Sequence, residues 1–535
     1  MRGRIACLAL VLSAAAWPAA QLENVGSISF PTSASSEAQR YFLRGVAILH
    51  SFGWKQAIAE FKRAQQAEPD FALAYWGETL SYNHPLTAEQ DAANPRAILA
   101  RLGPDAAARL AKAPTPREKG FLQAVEALWA TTGDWRARRV AYKDAMERLH
   151  TQFPDDDEVT TFYALALLSA ARAENDSTFR PEMKAGALAL GVFRKNPNHP
   201  GATHYIIHAF DDPVHAPLAL EAAFAYAKIV PAVSHAVHMP THIFIQHGMW
   251  HEVAHQNIRA FNIAKELWQT GDSPSDMAHS GDWGQYGFLQ LGDYAGARER
   301  IRAFEEMAET TRNARATSGL ALVRSRYIVE TEEWAMGPVA DGAAAHAVFA
   351  NGLSAVGTGD LATAEAMLGR LAKQARLPAD AAAGGGAHAD HAAPAPTPAP
   401  PPAAAAGSDG NKATVIMHHE LAARLLEAKG QTDRAIALLK EAVAIEESMR
   451  PPNGAADPIK PSHELLGEVL ARAGRHGEAA AAFEACLERM PNRPRSLAGA
   501  AGAHAAAGRA DRARAHWAAL RTFWTGKPFP GMPAS

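Results

Sequence analysis

Apolar residues recur along this chain at three- and four-residue intervals, and the alternation that marks half-buried strands is almost absent. The spacing predicts one helix after another. In the segment AQRYFLRGVAILHSFGWKQAIAEFKRAQQAEPD, a count of 34 positions from Ala38 puts Gly45 at 8, Ala57 at 20, Phe61 at 24, Ala64 at 27 and Pro69 at 32. Small residues let two helices approach, the large one fills the gap, and proline closes the unit.

This is the tetratricopeptide (TPR) spacing. It returns near the C-terminus with Gly467, Ala479, Phe483 and Pro491, then with Ala513 and Trp517 one period later. The phrases GDW (Gly133–Trp135), GMW (Gly248–Trp250), GDY (Gly292–Tyr294) and GDL (Gly359–Leu361) predict turns between helices, each followed by an Ala-rich helix. Pro154, Pro197 and Pro231 close further units. The pattern predicts an all-α fold, a right-handed superhelical solenoid of helix-turn-helix repeats in which each repeat buries its face against its neighbours.

One stretch cannot pack. From about Asp380 to Asp409 the chain reads AAAGGGAHADHAAPAPTPAPPPAAAAGSDG, a linker composition. The expected divisions are a signal peptide over 1–20, an N-terminal array over 21–378, a linker over 379–412 and C-terminal repeats over 413–535. The first twenty residues, MRGRIACLALVLSAAAWPAA, place Arg2 and Arg4 before a short apolar run and small residues, which predicts export to the periplasm or medium. No later run is apolar enough to predict a membrane span. Cys7 lies within that leader, so Cys486 has no partner for a disulfide and reads as a small core residue.

Composition removes further classes. Lys and Arg number 53 against 56 Asp and Glu, so nothing marks a nucleic-acid surface. A hydrophobic content of 48% supports a packed core. No nucleophile elbow or phosphate-binding glycine loop occurs.

The histidines change the picture, with ten of the chain's 23 falling between His199 and His255. Counting a repeat from Pro200 puts His204 at 5 and His208 at 9, and counting from Ser234 puts His235 at 2, His238 at 5 and His242 at 9. With Gly292 at position 15, His279 falls at 2, Asp282 at 5 and Tyr286 at 9. Positions 2, 5 and 9 share one face of a repeat's first helix, the face that lines the concave groove of such arrays. Neighbouring helices pack about 8–10 Å apart, which is close enough for imidazoles to converge.

His204, His208, His235, His238, His242, His279 and Asp282 are therefore candidate ligands for a transition metal such as copper, zinc or iron. Each i,i+4 pair is spaced to chelate one ion. His84, His199, His215, Asp211 and Asp212 are candidate supporting groups, with Tyr286 lining the groove; the two aspartates also read as caps before Pro213. A hydrogen-bonded polar network is the alternative. His251-Glu252 with His255 fits the H-E-x-x-H zinc-protease spacing, but on a second helix and without an evident third ligand. His418, His419 and the run Ser462–Glu464 read as surface or local structure.

The run NPNHPGATHYIIHAFDDPVHAPLAL, with SHAVHMPTHIF, GMW, SYNHPL, MHHEL and KPSHELLGEVL, resembles a family of exported bacterial tetratricopeptide-repeat proteins. The resemblance extends over most of the chain. It implies histidines at the places of His84, His199, His204, His208, His215, His235, His238 and His242. It does not include His247, His251 or His255, and the region around His279 departs from it. It implies a fold and a histidine site but no activity. The leading expectation is an exported scaffold whose groove holds a protein or peptide partner beside a histidine-bound metal. A metal-dependent enzyme and a purely structural interaction module are the alternatives.

Overall fold

The computed structural model describes residues 20–86, 91–130, 133–176, 178–377 and 409–533. The leader over 1–19, with Cys7, and His388 and His391 of the linker lie outside the described residues. One small antiparallel hairpin, Ala20–Leu22 with Gly26–Ile28, precedes an otherwise all-α chain. Helices follow in antiparallel pairs, from Ser36–His50 and Trp54–Ala67 to Pro494–Ala506 and Ala510–Arg521. No described helix is long and apolar enough to cross a membrane.

The repeat residues do what their spacing requires. A Cβ on Gly45 or Gly77 would lie 2.8 or 2.3 Å from the Phe61 ring, so that ring fills the space between its own repeat and the next. Phe483 is held in the same way between Gly467 and Gly499, where added Cβ atoms would approach to 2.9 and 2.4 Å. Each pair of glycines is 32 residues apart, so the packing rule itself repeats. The predicted turns also form: Gly292 and Gly359 have φ of +76° and +83°, the left-handed conformation that ends a helix at little cost only in glycine.

The structure divides into two compact units. The first comprises Met1–Ala209 with Lys228–Pro231, and the second Phe210–Ala227 with Ala232–Ser535. The first unit is centred on buried rings of Phe30, Phe42, Phe61, Trp76, Phe121 and Phe162 in mutual contact. Its hairpin is tied to the turn before His199, since Asn196 Nδ2 donates to the Ser27 carbonyl (2.7 Å) and Ser27 N donates to Asn198 O (2.9 Å).

In the second unit, packing runs past the expected linker. Val348, Phe349 and Leu371 share one core with Met417, Leu421 and Leu425. The repeats after the linker thus extend this unit and do not form an array of their own. Cys486 is buried, and burial pushes its thiol up to about 12, which leaves it an inert core residue.

Candidate metal centre

Several histidine groups form among the described residues, and two of them, one complete within each unit, are set apart by their hydrogen bonding. In the first unit, His50 ends the helix Ser36–His50, Glu158 opens the helix Asp157–Glu174, and His199 precedes the helix Pro200–Ala209. The phrase HPG is explained here. His199 Nδ1 accepts the Ala202 N–H (3.1 Å) and caps the helix, Pro200 is its first residue, and Gly201 leaves room for the His50 ring, which a Cβ would meet at 2.4 Å.

Because His199 Nδ1 accepts, its Nε2 carries the proton and faces Glu158 Oε1 at 3.2 Å. His50 Nε2 donates to Glu158 Oε2 at 2.8 Å, and its Nδ1 accepts the Tyr205 hydroxyl at 2.9 Å. Burial pushes Glu158 up, but the two imidazoles more than offset this and hold it at about 2. Burial lowers His50 despite the adjacent carboxylate. The ring nitrogens point protons at an anion, so this cluster is closed without a metal.

The second unit presents the opposite arrangement. His238 ends the helix Ser234–His238, His242 lies on Pro240–Gln246, and His279 on Ser275–Leu291. Asn257, on Trp250–Leu267, donates Nδ2 to Val253 O (2.8 Å) and Thr241 Oγ1 (3.1 Å), which turns its Oδ1 toward His238 Nδ1 at 2.6 Å. His238 therefore keeps its proton on Nδ1. Asp211 Oδ2 lies 2.7 Å from His242 Nδ1 and fixes the proton there too. Both Nε2 lone pairs are then left facing each other at 3.0 Å.

One nitrogen from each of His238, His242 and His279 lies within 4.8 Å of the others, and no carboxylate of a described residue joins that set. Trp283 covers one side, its ring 4.9 Å from His238 and 4.3 Å from His242. Burial, then the neighbouring His279 and His242, takes His238 well below the usual imidazole range. Burial, then His242, lowers His279 to about 4. Neutral imidazole is the form that binds metal. Asp211 Oδ1 is buried without a hydrogen-bond partner among the described residues, so its charge is available to balance a cation.

The remaining predicted residues are distributed as follows. His204 and His208 belong to the first unit; His204 Nδ1 donates to the His50 carbonyl (2.6 Å), and the His208 ring lies 4.7 Å from that of His204 and 5.9 Å from Phe52. His84, also in the first unit, stacks on Trp54. His235 stands beside His238 with ring centroids 6.2 Å apart. Asp212 caps the turn after Phe210, accepting from Val214 N and His215 N, and its Oδ2 holds His215 Nδ1 at 2.7 Å.

Two expectations are corrected. Asp282 is paired with the buried Arg326, so its carboxylate is committed to a guanidinium instead of the imidazoles. The Tyr286 hydroxyl accepts from Arg493 at 3.2 Å in a separate ionic network. There Arg493 is bidentate to Glu464 (2.7 and 2.9 Å) and reaches Glu330 at 2.8 Å, with Lys460 also on Glu464 at 3.0 Å. Ser462–Glu464 and His418 are buried, which fits local structure and not surface, the two readings the sequence left open. His251 and His255 are exposed on the solvent side of their helix, and no group of three potential ligands among the described residues includes them. Glu484, His504 and His516 do converge, but Arg512 already pairs with that carboxylate.

The sequence reading missed His50, Glu158, Asn257 and Trp283. His50 and Glu158 are 108 residues apart with no shared repeat position, and Asn257 is one ordinary polar residue on a second helix. Only the oddity of a histidine inside the apolar run AILHSF hinted at the first.

No family model matches the chain, and no curated protein matches it. Among solved structures, it is similar to the P58(IPK) TPR domain (TM-score 0.23, 12% identity, 88% of this chain and 99% of that one). It is also similar to a human IFIT1 dimer with m7Gppp-AAAA (TM-score 0.32, 14% identity, 92% and 91%). A third is the APC/C hetero-tetramer Cut9–Hcn1 (TM-score 0.33, 11% identity, 89% and 78%). Likeness at this level says nothing of ligand or partner. The fold is an all-α tetratricopeptide-type repeat, a class defined by its packing and not by a chemistry.

Proposed function

We propose that this chain is an exported tetratricopeptide-type binding scaffold that holds a transition-metal ion on His238, His242 and His279. One observation carries the metal reading: two imidazoles, each with its Nδ1 proton committed elsewhere, bring their Nε2 lone pairs to 3.0 Å. Left alone, those lone pairs repel. A cation between them turns the repulsion into coordination, and tetrahedral ligands at about 2.0–2.1 Å stand only slightly farther apart than this. An all-nitrogen set suits zinc, copper or iron and gives no thiolate preference. Asp211 and Asn257 are the orienting partners that such ligands require.

The same contact favours one other reading, a proton shared between the two rings and balanced by Asp211, which makes the cluster a polar network. Thermal melting separates them. A bound ion predicts a melting temperature that falls on exhaustive chelation and returns on adding back one metal. A shared proton predicts no response to chelator.

The scaffold role rests on the repeat fold, whose first helices offer side chains to a protein or peptide partner. Export rests on the Arg2/Arg4 leader pattern, and N-terminal sequencing of the secreted chain tests it.

A further inference from the structure

The three-histidine reading leaves one coordination question, and the neighbouring polar groups answer it. A tetrahedral ion needs four donors, and the set contributed by the described residues numbers three. No carboxylate of a described residue belongs to the ligand set. Asp211 Oδ2 is bound to His242, on the ring edge away from Nε2, and Asn257 Oδ1 is bound to His238. Asp282, one turn from His279, is held by Arg326. Cys486 is the sole described cysteine, lies buried on the helix His476–Arg489, and is no member of the ligand set.

Charge points the same way. Three neutral imidazoles leave a divalent ion's charge uncompensated except by Asp211, and a buried cation demands a counter-charge. The third ligand, His279, is only half-buried, while His238 and His242 are buried against Trp283. His279 is thus the least covered of the three ligands, the side on which a further donor has least to displace.

We propose that the ion on His238, His242 and His279 takes its fourth ligand from outside the chain, as a small monoanion entering beside His279. This inference rests on the metal reading above. It makes the centre an anion-binding site, in contrast to the closed four-ligand sites that only brace a fold.

Cobalt(II) gives a direct test on the full mature chain, because its visible bands report coordination number and ligand exchange. After loading, azide and acetate are titrated separately. The expected result is intense tetrahedral bands that shift on anion addition and saturate at one anion per cobalt. Asp282→Asn retains this response. Cobalt uptake with a spectrum that neither anion changes overturns this inference alone and leaves a metal site with an internal fourth donor. Failure to take up cobalt, zinc or copper removes the metal reading and this inference together.

Discussion

Asp211 and His242, 31 residues apart, meet at 2.7 Å through Oδ2 and Nδ1, and this single contact decides which nitrogen of His242 faces His238. A carboxylate behind an imidazole fixes the tautomer and raises the basicity of the far nitrogen. Asp211→Asn removes the charge and allows the other tautomer. It is expected to weaken metal affinity about 10–100-fold while leaving the melting temperature of the metal-free protein nearly unchanged. Competition with a chelating dye measures the first effect and calorimetry the second. Equal affinity in the variant would show that Asp211 serves only the fold.

The sequence made the repeat legible because its packing rule is local: Gly45, Phe61 and Gly77 lie within one period, and the ring-in-gap arrangement follows from residue size alone. The i,i+4 pair His238 and His242 was legible for the same reason, and His279 followed from the repeat frame. The frame gave faces but not partners. It placed Asp282 on the same face as His279, and only tertiary structure shows that Arg326, 44 residues on, claims the carboxylate. Likewise, nothing in the 34-residue period distinguishes His204 and His208, which sit in the first unit, from His238 and His242 in the second. The buried charges around Arg493 escaped notice because Glu330 lies 163 residues away in the chain and nothing local to either residue marks the pairing.

The repeat packing is tested at Gly77. Alanine there sets a Cβ 2.3 Å from the fully buried Phe61 ring, which has no room to withdraw. Overpacking of this kind costs about 1–3 kcal/mol. The expected outcome is a lower urea midpoint with an unchanged m-value. Alanine at Gly369, where a Cβ meets nothing within 4 Å, is the control that should stay close to the parent protein.

Glu158 predicts a defined acid sensitivity in the first unit. Its folded pKa of about 2 lies below the ordinary 4.5, so its stabilisation is complete above about 4.5 and is lost as pH falls toward 2. His50, lowered by burial, acts in the same direction from its ordinary 6.5 downward, because the unfolded chain takes up the proton first. Stability should therefore decline steadily from about pH 6.5 to 2. In Glu158→Gln, melting temperatures should drop at neutral pH and flatten in the 4.5–2 range. An unaltered pH profile would contradict the network.

The Arg493 network predicts an asymmetric cost. Arg493→Met strands Glu330 in the interior, while Glu464 keeps Lys460, and breaking one side of a buried ion pair costs about 3–5 kcal/mol. Adding Glu330→Gln to that variant should recover part of the loss, because the unpaired charge disappears with it. Denaturant titration of the single and double variants reads the difference. A double variant less stable than the single one would show that Glu330 has another essential partner.

Metal content, measured on the mature protein purified without a histidine tag beside His238→Ala/His242→Ala, decides between coordination and a shared proton. About one equivalent of a single transition metal is expected in the parent protein, as isolated or after reconstitution with copper, zinc or iron. None is expected in a folded variant. Equal metal in both proteins would place the ion elsewhere, and no metal in either after reconstitution would leave His238 and His242 sharing a proton in a polar network.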